Sequence, residues 1–367
     1  MQEEIKLEKG ITRQQSKILH GFAILMMLYH HLFTTPEALG VSYKSLLAFF
    51  SQDAEIRLAW FFKICVGIYA FTSGYGLCRL LKEKDQERKD EHNLFALLKE
   101  DYKVTIKQLF SFYKQYWLVF VIFVPIGFIF FGIPFDIKEF VLNFIGIKST
   151  YNGAWWYVFF YVKLLLILPL AYRFFYYVKD KSYIVMQVIL YGIILVTFLA
   201  IYLFDKEFYS KIYNFLQMPF LYCFLIGIVI ARFNLYELCF KIFNKRKQIV
   251  YMLGALGMIL CIAARIHMAK DALSVGFDFI FVPVICFGFL SIVCLSKRLS
   301  QFFAFFGKYS TYMWLTHVFF YDKYAKSIVM STHVSLGIYV TLVVCSLLAS
   351  MALEYLYKKI MPQTKAK

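Results

Sequence analysis

Apolar runs of about twenty residues, the length that crosses a bilayer as a helix, recur along the chain and are centred near residues 25, 69, 123, 165, 193, 223, 258, 285, 313 and 347. Together they fill nearly the whole chain. The pattern predicts an all-α fold: a polytopic transmembrane helical bundle of about ten spans, forming one integral membrane domain over residues 1–367. Little remains for a separate soluble domain, so any chemistry falls to the spans and their connections. The longest polar interruption, about 82–111, opens as KEKDQERKDEHN and continues as LFALLKEDYKVTIKQLF, whose apolar residues at helical spacing predict a helix lying on the membrane surface. A second connection, about 134–154 and ending in Trp155 and Trp156, is also amphipathic. Tryptophans there are expected as interface residues or as platforms for a sugar ring.

Composition agrees with this class. Hydrophobic residues make up 61% of the chain and mean hydropathy is +0.63, against roughly 45–50% apolar residues in soluble domains. The net charge of +17 would point to nucleic acid in a soluble protein. Here Lys and Arg gather in the segment before span 1, in 79–114, 173–181, 232–247 and 297–308, and at the C-terminus, while the alternate connections carry few. That asymmetry predicts cytoplasmic termini and accounts for the charge by topology and by anionic lipid, without a nucleic-acid partner. The first fifteen residues have no small-residue cleavage site and are expected to lead into a retained helix. The eight cysteines lie in or beside spans without a CxxC pair and are expected to be apolar filler. No metal site is assigned.

The polar residues inside spans carry the candidate chemistry. Ser16–Phe33 reads SKILHGFAILMMLYHHLF, in which Lys17, His20 and His31 share one helix face. His20 and His31 are roughly 16 Å apart along the helix axis. Ionisable groups in a span usually face a protein-lined or wet cavity, so this stripe predicts a polar path. Span 2 contains Ser73, Gly74, Tyr75 and Gly76, small enough for a helix or an extended ligand to approach its backbone. Span 9 places His317 at the depth of His30 and His31. Of the two lysines within spans, Lys63 can snorkel, whereas Lys163 needs a partner, for which Asp278 is suitable by depth. Arg57 and Arg265 are expected near headgroup phosphates or an anionic substrate.

Three of these segments, LHGFAILMMLYHH, VGIYAFTSGYGL and GKYSTYMWLTHVFF, taken in order, resemble the acyltransferase-3 family of integral membrane acyltransferases over most of the chain. His20 stands where that family usually has Arg or Lys. FSFYKQYW has only Lys114 where many members carry two arginines before span 3. The resemblance implies a cytoplasmic acyl-CoA donor, most often acetyl-CoA, and no permanently bound cofactor. It also implies a hydroxyl acceptor on a glycan or surface polysaccharide beyond the bilayer, and a plasma-membrane location. Expected donor contacts are Lys17, His20, Ser73, Gly74, Tyr75, Arg79 and Lys114. Trp155, Trp156 and Lys163 are expected to meet the acceptor. His31, with His30 and His317 as further catalytic candidates, is the expected general base, or else forms a covalent acyl-histidine. Tyr29, His30, Lys163 and His317 are candidate donors to the oxyanion. A glycan or lipid-linked-sugar transporter and a catalytically silent sensor are the competing readings. The acceptor, the acyl group and the oligomeric state are not readable.

Overall fold

The computed structural model describes residues 9–51, 53–88, 93–176, 203, 205–243, 246–268 and 275–361; the span expected near residue 193 lies outside them. Among the described residues, fourteen α-helices follow in order: α1 Arg13–Phe33, α2 Ala54–Phe62, α3 Ile64–Glu87, α4 Leu94–Phe130, α5 Ile137–Phe144, α6 Trp156–Tyr176, α7 Lys206–Leu216, α8 Met218–Phe233, α9 Leu235–Ile242, α10 Lys247–His267, α11 Asp278–Val293, α12 Lys297–Val318, α13 Lys326–Met330 and α14 Ser335–Ile360. No strand occurs among the described residues.

Among the described residues, five stretches are long and apolar enough to cross a membrane: Ala54–Glu87, Leu94–Phe130, Gly153–Phe174, Lys247–His267 and Ser335–Ile360. The pair α7 and α8, bent by 56° where Gln217 takes a left-handed backbone, counts as a sixth if read as one span. The remaining expected spans among the described residues fall short for physical reasons. α11 has only 16 residues. α1 and α12 are too polar for a helix surrounded by lipid: α1 packs along α12 and is flanked by α2, α3 and α14, and α12 is largely buried from Phe306 to Val318. The outer helices show the opposite pattern. On α10 the side chains of Met252, Ile259 and Leu260 are exposed and apolar, as lipid contact requires.

Local signals start α1. Thr12 accepts from the Gln15 backbone N–H while the Gln15 side chain accepts from that of Thr12, closing a capping box. α1 and α12 then cross in close contact through two glycines: a Cβ on Gly21 would strike the Phe303 carbonyl, and one on Gly307 the Lys17 carbonyl. This crossing lets the far ends of the two helices bring their histidines together.

Two connections differ from expectation. Residues 94–111 form the first turns of the 37-residue α4 rather than a separate surface helix. They are held upright by charge: Arg173 of α6 donates from Nε to Asp101 at 2.6 Å and from Nη2 to Asp85 of α3 at 2.7 Å, and Arg88 reaches Asp101 at 3.3 Å. The amphipathic α5 folds back along α4. Tyr113 and Tyr116 donate to the Ile145 and Asn143 carbonyls at 2.6 and 2.5 Å, and the Trp117 indole donates to Phe144 at 3.0 Å.

Candidate functional site

Three cavities follow α1 from end to end. At its N-terminal end a pocket of about 500 Å³ is bordered by Arg13, Ser16, Gly76, Arg79, Glu83 and Gln108, among others. Next comes a cavity of about 170 Å³ walled by residues that include His20, Met27, His31, Val66, Tyr69, Ser73, Phe112 and Trp314. Ser16 and His20, Gly76 and Ser73, and Gln108 and Phe112 are each one helical turn apart, on α1, α3 and α4 respectively. The two spaces are therefore stacked on the same three helices, about 5 Å apart in helical rise. At the C-terminal end of α1 lies a pocket of about 410 Å³ bordered by His30, His31, Thr34, Gly153, Tyr321, Asp322 and Lys326. His31 borders both this pocket and the central cavity.

The histidines are not equivalent. The His30 ring sits 2.7 Å from the Ala59 carbonyl through Nδ1, so its N–H is committed to tying α1 to α2. The Nδ1–H of His317 donates to the Trp314 carbonyl at 2.7 Å, which leaves Nε2 as the lone-pair nitrogen of the neutral ring. That Nε2 is buried without a partner. His31 makes no hydrogen bond to any described residue and lies with its ring centre 4.8 Å from that of His317 and 5.4 Å from that of His30. Its nitrogens are free for a substrate. Directly after His317 the helix widens to a π-helix, Phe319–Tyr324, which presents Tyr321 over both rings, 6.4 Å from His31 and 6.1 Å from His317. Wide turns of this kind often mark functional sites.

At the other end of the stripe His20 lies 2.9 Å from Thr72 Oγ1, whose own proton goes to the Ile68 carbonyl at 2.8 Å, so His20 donates through Nε2. Together with the Tyr69 hydroxyl, which donates to the His20 carbonyl at 3.2 Å, this sets the antiparallel register of α1 and α3, in which Met27 lies near the level of Val66, one turn from His31.

The sequence that carries this geometry belongs to a known family. A sequence profile described as an acyltransferase domain matches residues 16–355, nearly the whole chain. The chain is a member of the acyltransferase-3 family. Comparison with curated proteins and with solved structures gives no match. The family is one of membrane acyltransferases, in keeping with the apolar helices of this chain.

Within this acyltransferase-3 domain, the expected site residues divide into those at the cavities and those elsewhere. His20, His31, Ser73 and Trp156 border the central cavity, His30 the C-terminal pocket and Arg79 the N-terminal pocket. Lys17 and Lys114 border none of these three and are exposed, Lys17 because the α1–α12 contact turns its side chain outward, Lys114 because Gln108 and Phe112 hold the cavity face of α4. Gly74 packs against the Phe224 carbonyl of α8, a helix crossing rather than a ligand path. The Tyr75 hydroxyl accepts from the Ile11 N–H at 2.9 Å and holds the segment leading into α1. Trp155 is fully buried with its indole N–H on the Leu315 carbonyl at 3.0 Å, a structural clamp. Lys163 does not meet Asp278: its ammonium donates to the Phe215 carbonyl over the rings of Phe159 and Phe215, while Asp278 pairs with the fully buried Arg265 at 2.7 Å. Arg265 therefore faces neither headgroup nor substrate.

Sequence reasoning missed Tyr69, Tyr157, Tyr161, Ser310, Thr311 and Trp314, all of which border the central cavity. A signal existed: Tyr69 with Ser73 and Tyr157 with Tyr161 are four residues apart, and Ser310 with His317 seven, each pair on one helix face. Aromatic abundance, 20% of the chain, hid it. Cys65, Cys78, Cys223 and Cys286 are buried and unpaired.

Proposed function

We propose that this acyltransferase is a plasma-membrane enzyme of ten spans with cytoplasmic termini. It transfers an acetyl or similar short acyl group from cytoplasmic acyl-CoA to a hydroxyl of an extracytoplasmic glycan. The observation that carries the reading is the position of His31, which borders both the central cavity and the pocket at the C-terminal end of α1. With the N-terminus cytoplasmic, the pocket containing Arg13 and Arg79 faces the CoA pool, and two guanidinium groups suit its phosphates. The pantetheine arm, thin and extended, then runs past Ser16, Gly76, His20 and Ser73 and brings the thioester beneath His31. The acceptor enters from the opposite pocket, where Asp322 and Lys326 border its aqueous side.

His31 acts as general base on the acceptor hydroxyl, imidazole being matched to proton transfer near neutral pH. The unpartnered Nε2 of His317 accepts a hydrogen bond from the imidazolium that His31 becomes, in the way an orienting group supports a catalytic histidine. His317 holds its proton on Nδ1, so in the neutral ring it supports by accepting and does not donate to an oxyanion.

Isothermal titration of acetyl-CoA into the purified protein in nanodiscs tests the donor assignment. Arg79→Ala and Arg13→Ala are expected to weaken binding roughly tenfold or more each, as loss of a charge-assisted hydrogen bond worth about 1.5–3 kcal/mol does. No heat and no competition by CoA in the parent protein would overturn the acyl-CoA reading in favour of a transporter.

A further inference from the structure

Attack on a thioester places negative charge on its carbonyl oxygen, and a donor must meet that charge. The four residues expected from sequence are committed elsewhere. The Tyr29 hydroxyl points to Glu55 at 3.4 Å, the His30 Nδ1–H to Ala59, the Lys163 ammonium to Phe215, and His317 offers a lone pair. Ser73, Trp156, Tyr157, Tyr161 and Thr311 at the central cavity donate from their side chains to no described residue, and among these groups only the Tyr157 hydroxyl is fully buried as well. The hydroxyl of Tyr157, whose ring borders that cavity, is buried and has no hydrogen-bond partner. Leaving a buried hydroxyl unpaired costs about 1–3 kcal/mol, a cost that a substrate oxygen would offset.

Its height in the bundle fits. The neighbours that act electrostatically on Tyr157 include Tyr69 and Cys65 of α3 and Cys223 of α8. Tyr69 donates to the His20 carbonyl at 3.2 Å and Cys65 lies one turn farther along α3 toward the C-terminal end of α1, so this level faces the stretch of α1 between His20 and His31. A thioester arriving from that pocket would come to rest there, below the base. The ring of Tyr157 is fixed edge-on to Trp314, with centres 5.6 Å apart, and Trp314 in turn carries the carbonyl that orients His317.

We infer that Tyr157 is a catalytic residue, donating the hydrogen bond that stabilises the tetrahedral oxyanion. The inference rests on the acyl-CoA reading above. The acceptor hydroxyl oxygen bonds to the thioester carbon as its proton passes to His31, and the carbonyl π pair moves onto the oxygen held by Tyr157. That pair then re-forms the carbonyl, the C–S bond breaks, and the leaving thiolate takes the proton from His31, giving ester and CoA thiol.

The test compares turnover of acetyl-CoA to free thiol in the parent, Tyr157→Phe and Tyr312→Phe. Tyr312 carries another buried, unpartnered hydroxyl but does not border the cavity, so it controls for the loss of such a group. Tyr157→Phe is expected to lower kcat by about 10²–10³-fold while the thermal midpoint of the free protein is unchanged or raised, since an unpaired buried hydroxyl is removed, and Tyr312→Phe leaves kcat within threefold. In the infrared, the thioester carbonyl of bound 13C-acetyl-CoA is expected at lower frequency in the parent than in Tyr157→Phe. This second reading needs binding but no turnover. If Tyr157→Phe fails to assemble, difluorotyrosine at 157, a stronger donor of the same shape, is expected to lower that frequency further. Parent-like kcat and carbonyl frequency in Tyr157→Phe, or an unmoved frequency with difluorotyrosine, overturn the assignment alone. Failure of the parent to bind and turn over acetyl-CoA overturns the donor reading and this assignment with it.

Discussion

Replacing Arg173 with Ala removes the cation that joins α3, α4 and α6. Arg173 is 3% exposed and makes hydrogen-bonded ion pairs with Asp85 and Asp101, whose side chains are 13% and 0% exposed. Removing one partner of a buried pair costs about 3–5 kcal/mol, because the charge left behind has lost its compensation. Asp101 keeps Arg88 at 3.3 Å, a partner 20% exposed, which places the expected loss near the lower bound, about 3 kcal/mol. That corresponds to roughly two powers of ten in the folding constant. The assay is reversible unfolding in mixed detergent micelles, followed by far-UV circular dichroism. Adding Asp101→Asn to Arg173→Ala is expected to recover about 1 kcal/mol, since a stranded amide costs less than a stranded carboxylate. A loss below about 1 kcal/mol in Arg173→Ala, or no recovery in the double variant, would refute the view that buried charge holds the first turns of α4 against the bundle.

Other outcomes follow from single contacts. Lys17→Ala and Lys114→Ala are expected to leave acetyl-CoA affinity within twofold of the parent by titration, because both side chains are exposed outside the cavity walls. Met27→Ala, which opens the central cavity beneath His31, is expected to raise the kcat/KM of butyryl-CoA relative to acetyl-CoA by tenfold or more, as about 1–3 kcal/mol of selectivity per methylene in a tight pocket predicts. Gly21→Val is expected to abolish the monodisperse peak in size-exclusion chromatography, since its side chain would meet the backbone of Phe303. Trp155→Phe is expected to cost only about 0.5–1.5 kcal/mol beyond its packing, because Asn152 still donates to the Leu315 carbonyl at 3.1 Å.

The helical class was legible because lipid demands long apolar runs, and their polar connections stand out against them. The stripe from His20 to His31 was legible too, since a polar group in such a run has no other ready explanation. The number of crossings was less so: α1 and the C-terminal half of α12 can hold polar groups because other helices shield them, and that shielding is a tertiary property. The same holds for Lys17, which shares the His20 face by helical angle yet is turned out by the Gly21–Gly307 crossing. The donor commitments of His30, His317 and Trp155 depend on backbone carbonyls of other turns and helices, which no side-chain pattern reveals. Tyr157 was hidden for the opposite reason. It is one of 28 tyrosines, and what sets it apart is a buried, unpartnered hydroxyl on a ring that borders the central cavity.

The central claim is that His31, at the junction of the two cavities, is the base for acyl transfer. The most direct measurement is release of free CoA from acetyl-CoA by the parent, His31→Ala and His30→Ala in nanodiscs, with acetyl-CoA binding measured on the same samples. Binding retained in all three, with release lost in His31→Ala and kept in His30→Ala, is the predicted result. Release undiminished in His31→Ala, with binding intact, would contradict it.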